Sequence, residues 1–286
     1  MTPSWSSPEN DGVVRVGVVA DLHHDVAGGR PPRRWHNDYE PELVEERLER
    51  GLDLLHGAGA RGLLVLGDVS ERGDDASTAR VLEACRDAFE HVGVVPGNHD
   101  GPQLAPIARA RGARALADDD FALGHVVVGG VGVAPAGGTT SRFASSHVRI
   151  ADGSSLVASH FPLVPLADEF AAAGLSYPGD LVDRAAVRAV VRRHAAPVVV
   201  VSGHVHGRTA RADGELLQLT VAALVEAPYE VSVVEVSTTQ ALTVTRRALR
   251  LGPPKPFEPV FTRSDETWTW TGARWHRLDA PDTARA

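Results

Sequence analysis

Apolar residues in this chain gather in short runs that stop abruptly at Gly, Pro or polar clusters. Six of these runs, at 13–20, 62–66, 92–95, 125–133, 155–159 and 198–202, are rich in Val. Continuous apolar runs of this size with β-branched residues predict buried strands. Between several of them the period changes to three or four residues. Val44, Leu48, Leu52 and Leu55 recur this way within 41–56, and Val81, Leu82, Cys85 and Phe89 within 76–91; 180–194 is a third such segment. That period predicts helices that lay one face on the strands. The order strand, helix, strand, helix, strand predicts an α/β layered arrangement.

Past Gly207 the pattern turns to consecutive strands, at 214–224, 229–237 and 241–249, divided by turn residues. The tail "ETWTWTGARWHRL" alternates Trp with Thr. It predicts a hairpin around Gly272, with Trp268 and Trp270 on one side. The Pro-rich stretch 251–259 is the best candidate for a linker. The expected organisation is a main domain over 13–250 and a C-terminal extension over 251–286 packed on its core.

Composition narrows the class. A chain of 286 residues with 43% hydrophobic content can bury one large core. Against 29 basic residues stand 37 acidic ones, a formal net charge of −8. That balance argues against coating nucleic acid, which needs clustered Lys and Arg on phosphates. A small phosphorylated substrate stays compatible, held by local Arg or a metal. The single cysteine, Cys85, rules out a disulfide within the chain and a Cys-built zinc site. It falls on the apolar side of a predicted helix and reads as a small buried hydrophobe rather than a nucleophile. No apolar run approaches the length of a membrane span, and the polar N-terminus lacks the features of a leader. A cytoplasmic protein without membrane contact is expected.

The candidate chemistry lies at the ends of the strands. The first is followed by Asp21 and His23, the second by Asp68, the third by Asn98, His99 and Asp100 in a row; the strand at 155–159 runs into His160, and the one at 198–202 into His204 and His206. Ligands bind at the carboxyl ends of strands in open α/β sheets, so residues far apart in sequence would converge there. Carboxylate, amide and imidazole donors without thiolate suit divalent Mn, Fe, Zn, Co or Ni. Two neighbouring cations need an anion between them, and Asp68, with one oxygen for each, is the candidate. Gly67 before it would let the backbone turn sharply. On extended backbone, residues i and i+2 face the same way. Asp21 could then act with His23, and His204 with His206, while His24 faces away.

The ordered set Asp21-Leu22-His23, Gly67-Asp68, Gly97-Asn98-His99-Asp100, His160 and Gly203-His204-Val205-His206 resembles the calcineurin-like metallophosphoesterase superfamily in content and order. The resemblance spans residues 14–207. It implies a two-sheet β-sandwich flanked by helices, with two divalent metal ions at one edge. It also implies a ligand partition, with one metal on Asp21, His23, Asp68 and His206 and the other on Asp68, Asn98, His160 and His204. The implied activity is hydrolysis of a phosphoric ester, a monoester or diester such as a nucleotide-type metabolite, by water activated at the metals. His99 would give a proton to the leaving oxygen, and Asp100 would orient His99 or a neighbouring ligand. A nuclease of the same superfamily is the alternative, and the acidic charge balance counts against it. A non-catalytic scaffold would go with loss of ligands or of His99, and all are present.

Substrate choice is expected to lie in loops. The loop after the first ligand pair carries Arg33, Arg34, Trp35 and His36, which could clamp a phosphate and stack on a ring. Two further candidates are 134–147, with Arg142, and 161–180, with Tyr177.

Overall fold

The computed structural model describes residues 12–28, 35–119, 121–137 and 141–278. Its first half alternates β1 (Val13–Val19), α1 (Val44–Gly57), β2 (Gly62–Val65), α2 (Asp75–Ala88), β3 (Val92–Val94), α3 (Leu104–Ala110) and β4 (Arg114–Ala115). Local chemistry marks the helix starts. A 3-10 turn over Pro41–Leu43, opened by proline, leads into α1. The Asp74 carboxylate caps α2 by accepting the Ser77 N–H at 2.8 Å, which satisfies one of the open amides of the first turn.

The middle of the chain builds β5 (Phe121–Leu123), β6 (Val126–Pro135), β7 (Phe143–Arg149), β8 (Leu156–Ser159), α4 (Ala167–Ala172), α5 (Arg184–Ala195) and β9 (Val198–Ser202). The last part is all strand: β10 (Thr209–Asp213), β11 (Leu216–Thr220), β12 (Glu230–Ser237), β13 (Thr243–Arg250), β14 (Asp265–Trp270) and β15 (Trp275–Leu278). One sheet has the order β15-β14-β13-β12-β1-β2-β3-β4, and the other β10-β11-β9-β8-β6-β5 with β7 on β6. β1 to β4 run parallel, as do β6, β8, β9 and β11. Each sheet thus has a parallel core, and the carboxyl ends of that core are where the candidate residues sit.

Strand alternation produces the layers. Val16 and Val18 of β1, Leu64 of β2, Val199 and Val201 of β9 and Leu217 and Leu219 of β11 meet between the sheets. Leu63 and Val65 face the other way and pack against Leu48, Leu52 and Leu55 of α1 and Val81, Leu82 and Cys85 of α2. Val198 and Val200 likewise face Val187 and Val191 of α5. The result is helix, sheet, sheet, helix, the two-sheet sandwich expected from the sequence. Cys85 is fully buried, and burial pushes its thiol up to about 12.

The hairpin of β14 and β15 continues the first sheet. Trp268 and Trp270 pack against the core between the sheets, and the buried Trp275 donates its indole N–H to the Glu215 carbonyl at 2.9 Å, reaching the second sheet. Arg246 of β13 and Glu266 of β14 form a buried ion pair across the junction. Among the described residues no helix is long and apolar enough to cross a membrane.

Candidate metal centre

The five strand ends named from the sequence meet at one rim, but they come from two sheets: β1, β2 and β3 from the first, β8 and β9 from the second. The loops keep the strand pairing going beyond the sheets. The Asp21 N–H donates to the Gly67 carbonyl at 3.2 Å, the His23 N–H to Asp68 at 2.9 Å, and the Gly203 N–H to His160 at 3.1 Å. The His204 N–H then reaches the Asp21 carboxylate at 3.0 Å and closes one sheet onto the other.

The backbone is not extended here, contrary to the reason given for pairing Asp21 with His23 and His204 with His206. Asp21 (φ 51°), His23 (49°), Asp68 (47°), His204 (67°) and His206 (49°) all lie in the left-handed region. Among the described residues the only other non-glycine there is Tyr229. Each such residue costs about 1–3 kcal/mol, and such strain gathers at functional sites. The side chains converge because each turns sharply inward. Gly67 (φ 82°) belongs to the same arrangement: a side chain on it would begin 2.6 Å from the Gly97 nitrogen and 2.8 Å from His160 Nδ1. Close approach of three loops therefore requires glycine.

Hydrogen bonds fix which histidine nitrogens face inward. His23 donates Nδ1–H to Glu71 Oε2 at 2.7 Å, and His206 donates Nδ1–H to Glu226 Oε1 at 2.6 Å. Their Nε2 lone pairs then point at each other across 3.3 Å, with no proton to share. His160 donates Nδ1–H to the Leu66 carbonyl at 2.8 Å. Its Nε2 lies 3.0 Å from Asn98 Oδ1, 3.2 Å from His204 Nδ1 and 3.4 Å from Asp68 Oδ2. Asp68 Oδ2 is also 3.5 Å from His23 Nε2, and Asp21 Oδ1 is 3.6 Å from His206 Nε2. Ligands about 2.0–2.2 Å from one ion stand about 3.0–3.5 Å apart. Converging lone pairs at that spacing repel unless a cation lies among them, so the donor set fits divalent metals.

Asp68 departs from the expected use of its two oxygens. Oδ1 accepts the His99 N–H at 2.9 Å, which leaves Oδ2 as the oxygen that faces both His23 and His160.

Electrostatics agree with a metal-binding role. Burial holds His23 down at about 4 and His206 at about 3, and it also holds His204 well below the ordinary value. Neutral imidazole is the ligating form. Burial raises the Asp21 carboxyl, and the Asp68 charge adds to the rise. His160 is the exception: burial would lower it, but the Asp68 and Asp21 carboxylates outweigh burial and bring it to about 9. Burial would raise the Asp68 carboxyl, but His160, with His23 and His99, together hold it well below the ordinary carboxylate value.

His99 lies at the rim, its ring edge-on to His23 with centroids 4.7 Å apart and its Nδ1 3.1 Å from the Glu71 carbonyl oxygen. Asp100 turns its carboxylate to backbone amides and not to the His99 ring. It accepts the N–H groups of Val69 (2.9 Å), Ser70 (3.2 Å) and Gly97 (2.9 Å), and so ties the loop after β2 to the loop after β3. Burial, with the nearby Asp68 charge, raises its carboxyl to about 6. His24 turns away, as expected, and bonds Glu45 Oε1 at 2.9 Å.

A cleft of about 730 Å3 opens over His23, Asp68, Asn98, His99, His204 and His206. Trp35 and Tyr39 border it on the loop after β1; Arg142 and Phe143, and the segment 178–182, border it elsewhere. Of the residues expected near the substrate, Arg33 and Arg34 lie outside the described residues. His36 does not line the cleft: it is buried beneath Trp35, with ring centroids 4.8 Å apart at 18°. Tyr177 also stays outside, bonded to Asp180 at 2.6 Å and packed on Phe170. The sequence reading missed Glu71 and Glu226. Glu71 lies three residues past Asp68, a spacing that carried a signal; Glu226 follows no motif and is brought in only by the fold.

These features define a class: a helix-flanked double sheet with a buried imidazole and carboxylate cluster for divalent metals at its strand ends. The family model for calcineurin-like phosphoesterases matches residues 14–208. The chain belongs to that family and is a metal-dependent hydrolase of phosphoester bonds, with a dinuclear metal site. A dimetal phosphatase from Danio rerio shares the fold at 15% identity and a TM-score of 0.58, over 85% of this chain and 98% of that one. TT1561 of Thermus thermophilus aligns at 13% identity and a TM-score of 0.49, over 77% of this chain and 93% of that one. A search of curated proteins found no match.

Proposed function

We propose that the enzyme hydrolyses a small phosphomonoester or phosphodiester, and that Asp21, His23, Asp68 and His206 hold one cation while Asp68, Asn98, His160 and His204 hold the other. The observation that carries this reading is the pair of opposed Nε2 lone pairs on His23 and His206, each fixed by a carboxylate behind it. When bound, the cations supply an activated water and neutralise the charge that develops on the phosphoryl oxygens.

The chain's own residues do the rest. Asp68 Oδ2 faces both ligand groups and is the shared donor. Asn98 contributes a neutral oxygen, which keeps the negative charge of the ligand set low and leaves attraction for an anionic ester. His99 borders the cleft with Nδ1 turned to the Glu71 carbonyl, so Nε2 is the atom that delivers a proton to the departing oxygen. Asp100 positions His99 indirectly, by clamping the loop that carries it. The cleft volume suits a small molecule, and its aromatic border on Trp35, Tyr39 and Phe143 favours an ester with a planar or apolar group.

The test is a panel of p-nitrophenyl phosphate, its bis ester, nucleotides, cyclic nucleotides and sugar or glycerol phosphodiesters. Each is offered to protein reconstituted in turn with Mn, Fe, Zn, Co and Ni. Turnover that depends on added metal is expected. Failure of all substrates with all five metals would overturn the assignment.

A further inference from the structure

Glu226 sits on the loop between β11 and β12 and is fully buried. Its two oxygens serve two different parts of the molecule. Oε1 accepts the His206 Nδ1–H at 2.6 Å, and Oε2 accepts the backbone N–H of Asn37 at 2.8 Å. A second strut lies beside it, from the Glu40 N–H to the Val225 carbonyl at 2.8 Å. Asn37 closes a turn with Trp35, whose N–H donates to the Asn37 carbonyl at 3.2 Å. The indole of Trp35 stacks on His36 and meets the His206 ring at 4.8 Å and 64°. Its Nε1–H donates to Ser176 Oγ at 3.0 Å, and the ring borders the cleft.

We propose that Glu226 is a positioning residue that couples cation binding at His206 to the seat of Trp35 on the cleft wall. The coupling rests on the metal site proposed above. A cation on Nε2 makes the opposite Nδ1–H a stronger donor, which fixes the Glu226 carboxylate more firmly. The same carboxylate holds Asn37, and with it the turn that presents Trp35. The effect is reciprocal: whatever seats Trp35 also orients His206 for its metal. The contacts of the substrate-facing wall are already in place, and a cation at His206 would tighten them.

Glutamine is the informative replacement. Both partners are donors, and a carboxylate has an acceptor for each; an amide has one acceptor oxygen and one donor nitrogen. Glu226→Gln must release Asn37, or force His206 into the tautomer whose Nε2 carries a proton and cannot bind a cation.

The probe is Zn2+, which has no redox chemistry, titrated into the full-length chelator-treated protein. Uptake is read by elemental analysis after dialysis, and the Trp35 seat by tryptophan emission and its quenching by acrylamide, taken as wild type minus Trp35→Phe. Wild type is expected to show a zinc-dependent Trp35 signal. Glu226→Gln is expected to need about 10–100-fold more zinc to fill the site and to lose the Trp35 signal or shift it by the same factor. Two outcomes overturn the coupling: wild type that binds zinc without any Trp35 signal, or Glu226→Gln that gives the wild-type signal at wild-type zinc. The first needs no variant of Glu226 and stands even if that variant fails to fold. Wild type that takes up no zinc would instead refute the metal site, and the coupling with it.

Discussion

At the scale of single residues, the site depends on which atom of each side chain faces inward. Asp68 has one oxygen committed to the His99 N–H and the other aimed at both histidine groups. Asp68→Ala is expected to abolish turnover and to empty both metal positions. Metal retained at wild-type stoichiometry would refute the shared role. His99 is different, because its ring borders the cleft without facing the converging lone pairs. His99→Ala is expected to keep its metals and slow turnover by about 10²–10⁴-fold. The loss should be largest for alkyl esters, whose leaving oxygen needs a proton, and smaller for p-nitrophenolate. An equal loss for both leaving groups would remove His99 from the proton transfer. The residue types and order of this site were legible in the sequence. The left-handed backbone that aims them was not, since it arises from three loops pressed together at Gly67.

At the scale of elements, long periodic segments were readable and short ones were not. α1, α2, α5 and the Val-rich strands carry enough residues to show a period. β4, β5, α3 and α4 are too short for that, and β7 and β10 lack a continuous apolar run; all owe their form to the strands and helices beside them. The C-terminal hairpin has alternation of its own, but its attachment is a tertiary matter. Arg246 and Glu266 are both buried, and Arg246 also donates to the carbonyls of Thr209 and Thr220. Glu266→Ala leaves the guanidinium buried without its counter-charge, which costs about 3–5 kcal/mol. The expected result is a lower urea midpoint at an unchanged slope. A midpoint shift equivalent to less than about 1 kcal/mol would show that the pair does not fasten β14 to β13.

At the scale of the whole molecule, histidine titration links the site to stability. Burial depresses His23 to about 4 and His206 to about 3. Below the ordinary value of about 6.5 the unfolded chain binds these protons and the folded chain does not. Their contribution is full above about pH 6.5 and is lost as pH falls toward 4 and 3. His160 has the opposite sign, because its carboxylate neighbours raise it to about 9. Its contribution is full below about pH 6.5 and is lost as pH rises through 9. Protein kept in chelator is therefore expected to lose Tm as pH rises from about 6.5 through 9, whereas on the acid side the raised carboxyls of Asp21 and Asp100 act against the two histidines. Saturating Mn2+ should raise Tm, with a gain in unfolding free energy of about 4 kcal/mol at a thousandfold excess over Kd for one site. It should also flatten the alkaline side, since the cation replaces the His160 proton. An alkaline slope that persists unchanged with metal would contradict this placement of His160.

The sequence by itself determined the inventory: which strands are buried, which helices cover them, and which polar residues leave each strand at its carboxyl end. Those properties are local, set by periodicity and by the high cost of burying Asp and His without partners. The tertiary structure alone decided that the strand ends come from two sheets, that Glu71 and Glu226 choose the inward nitrogens, and that His36 supports Trp35 instead of facing the cleft. Such choices depend on contacts between residues as much as 189 positions apart, as for Asn37 and Glu226, and no window along the chain is wide enough to hold them.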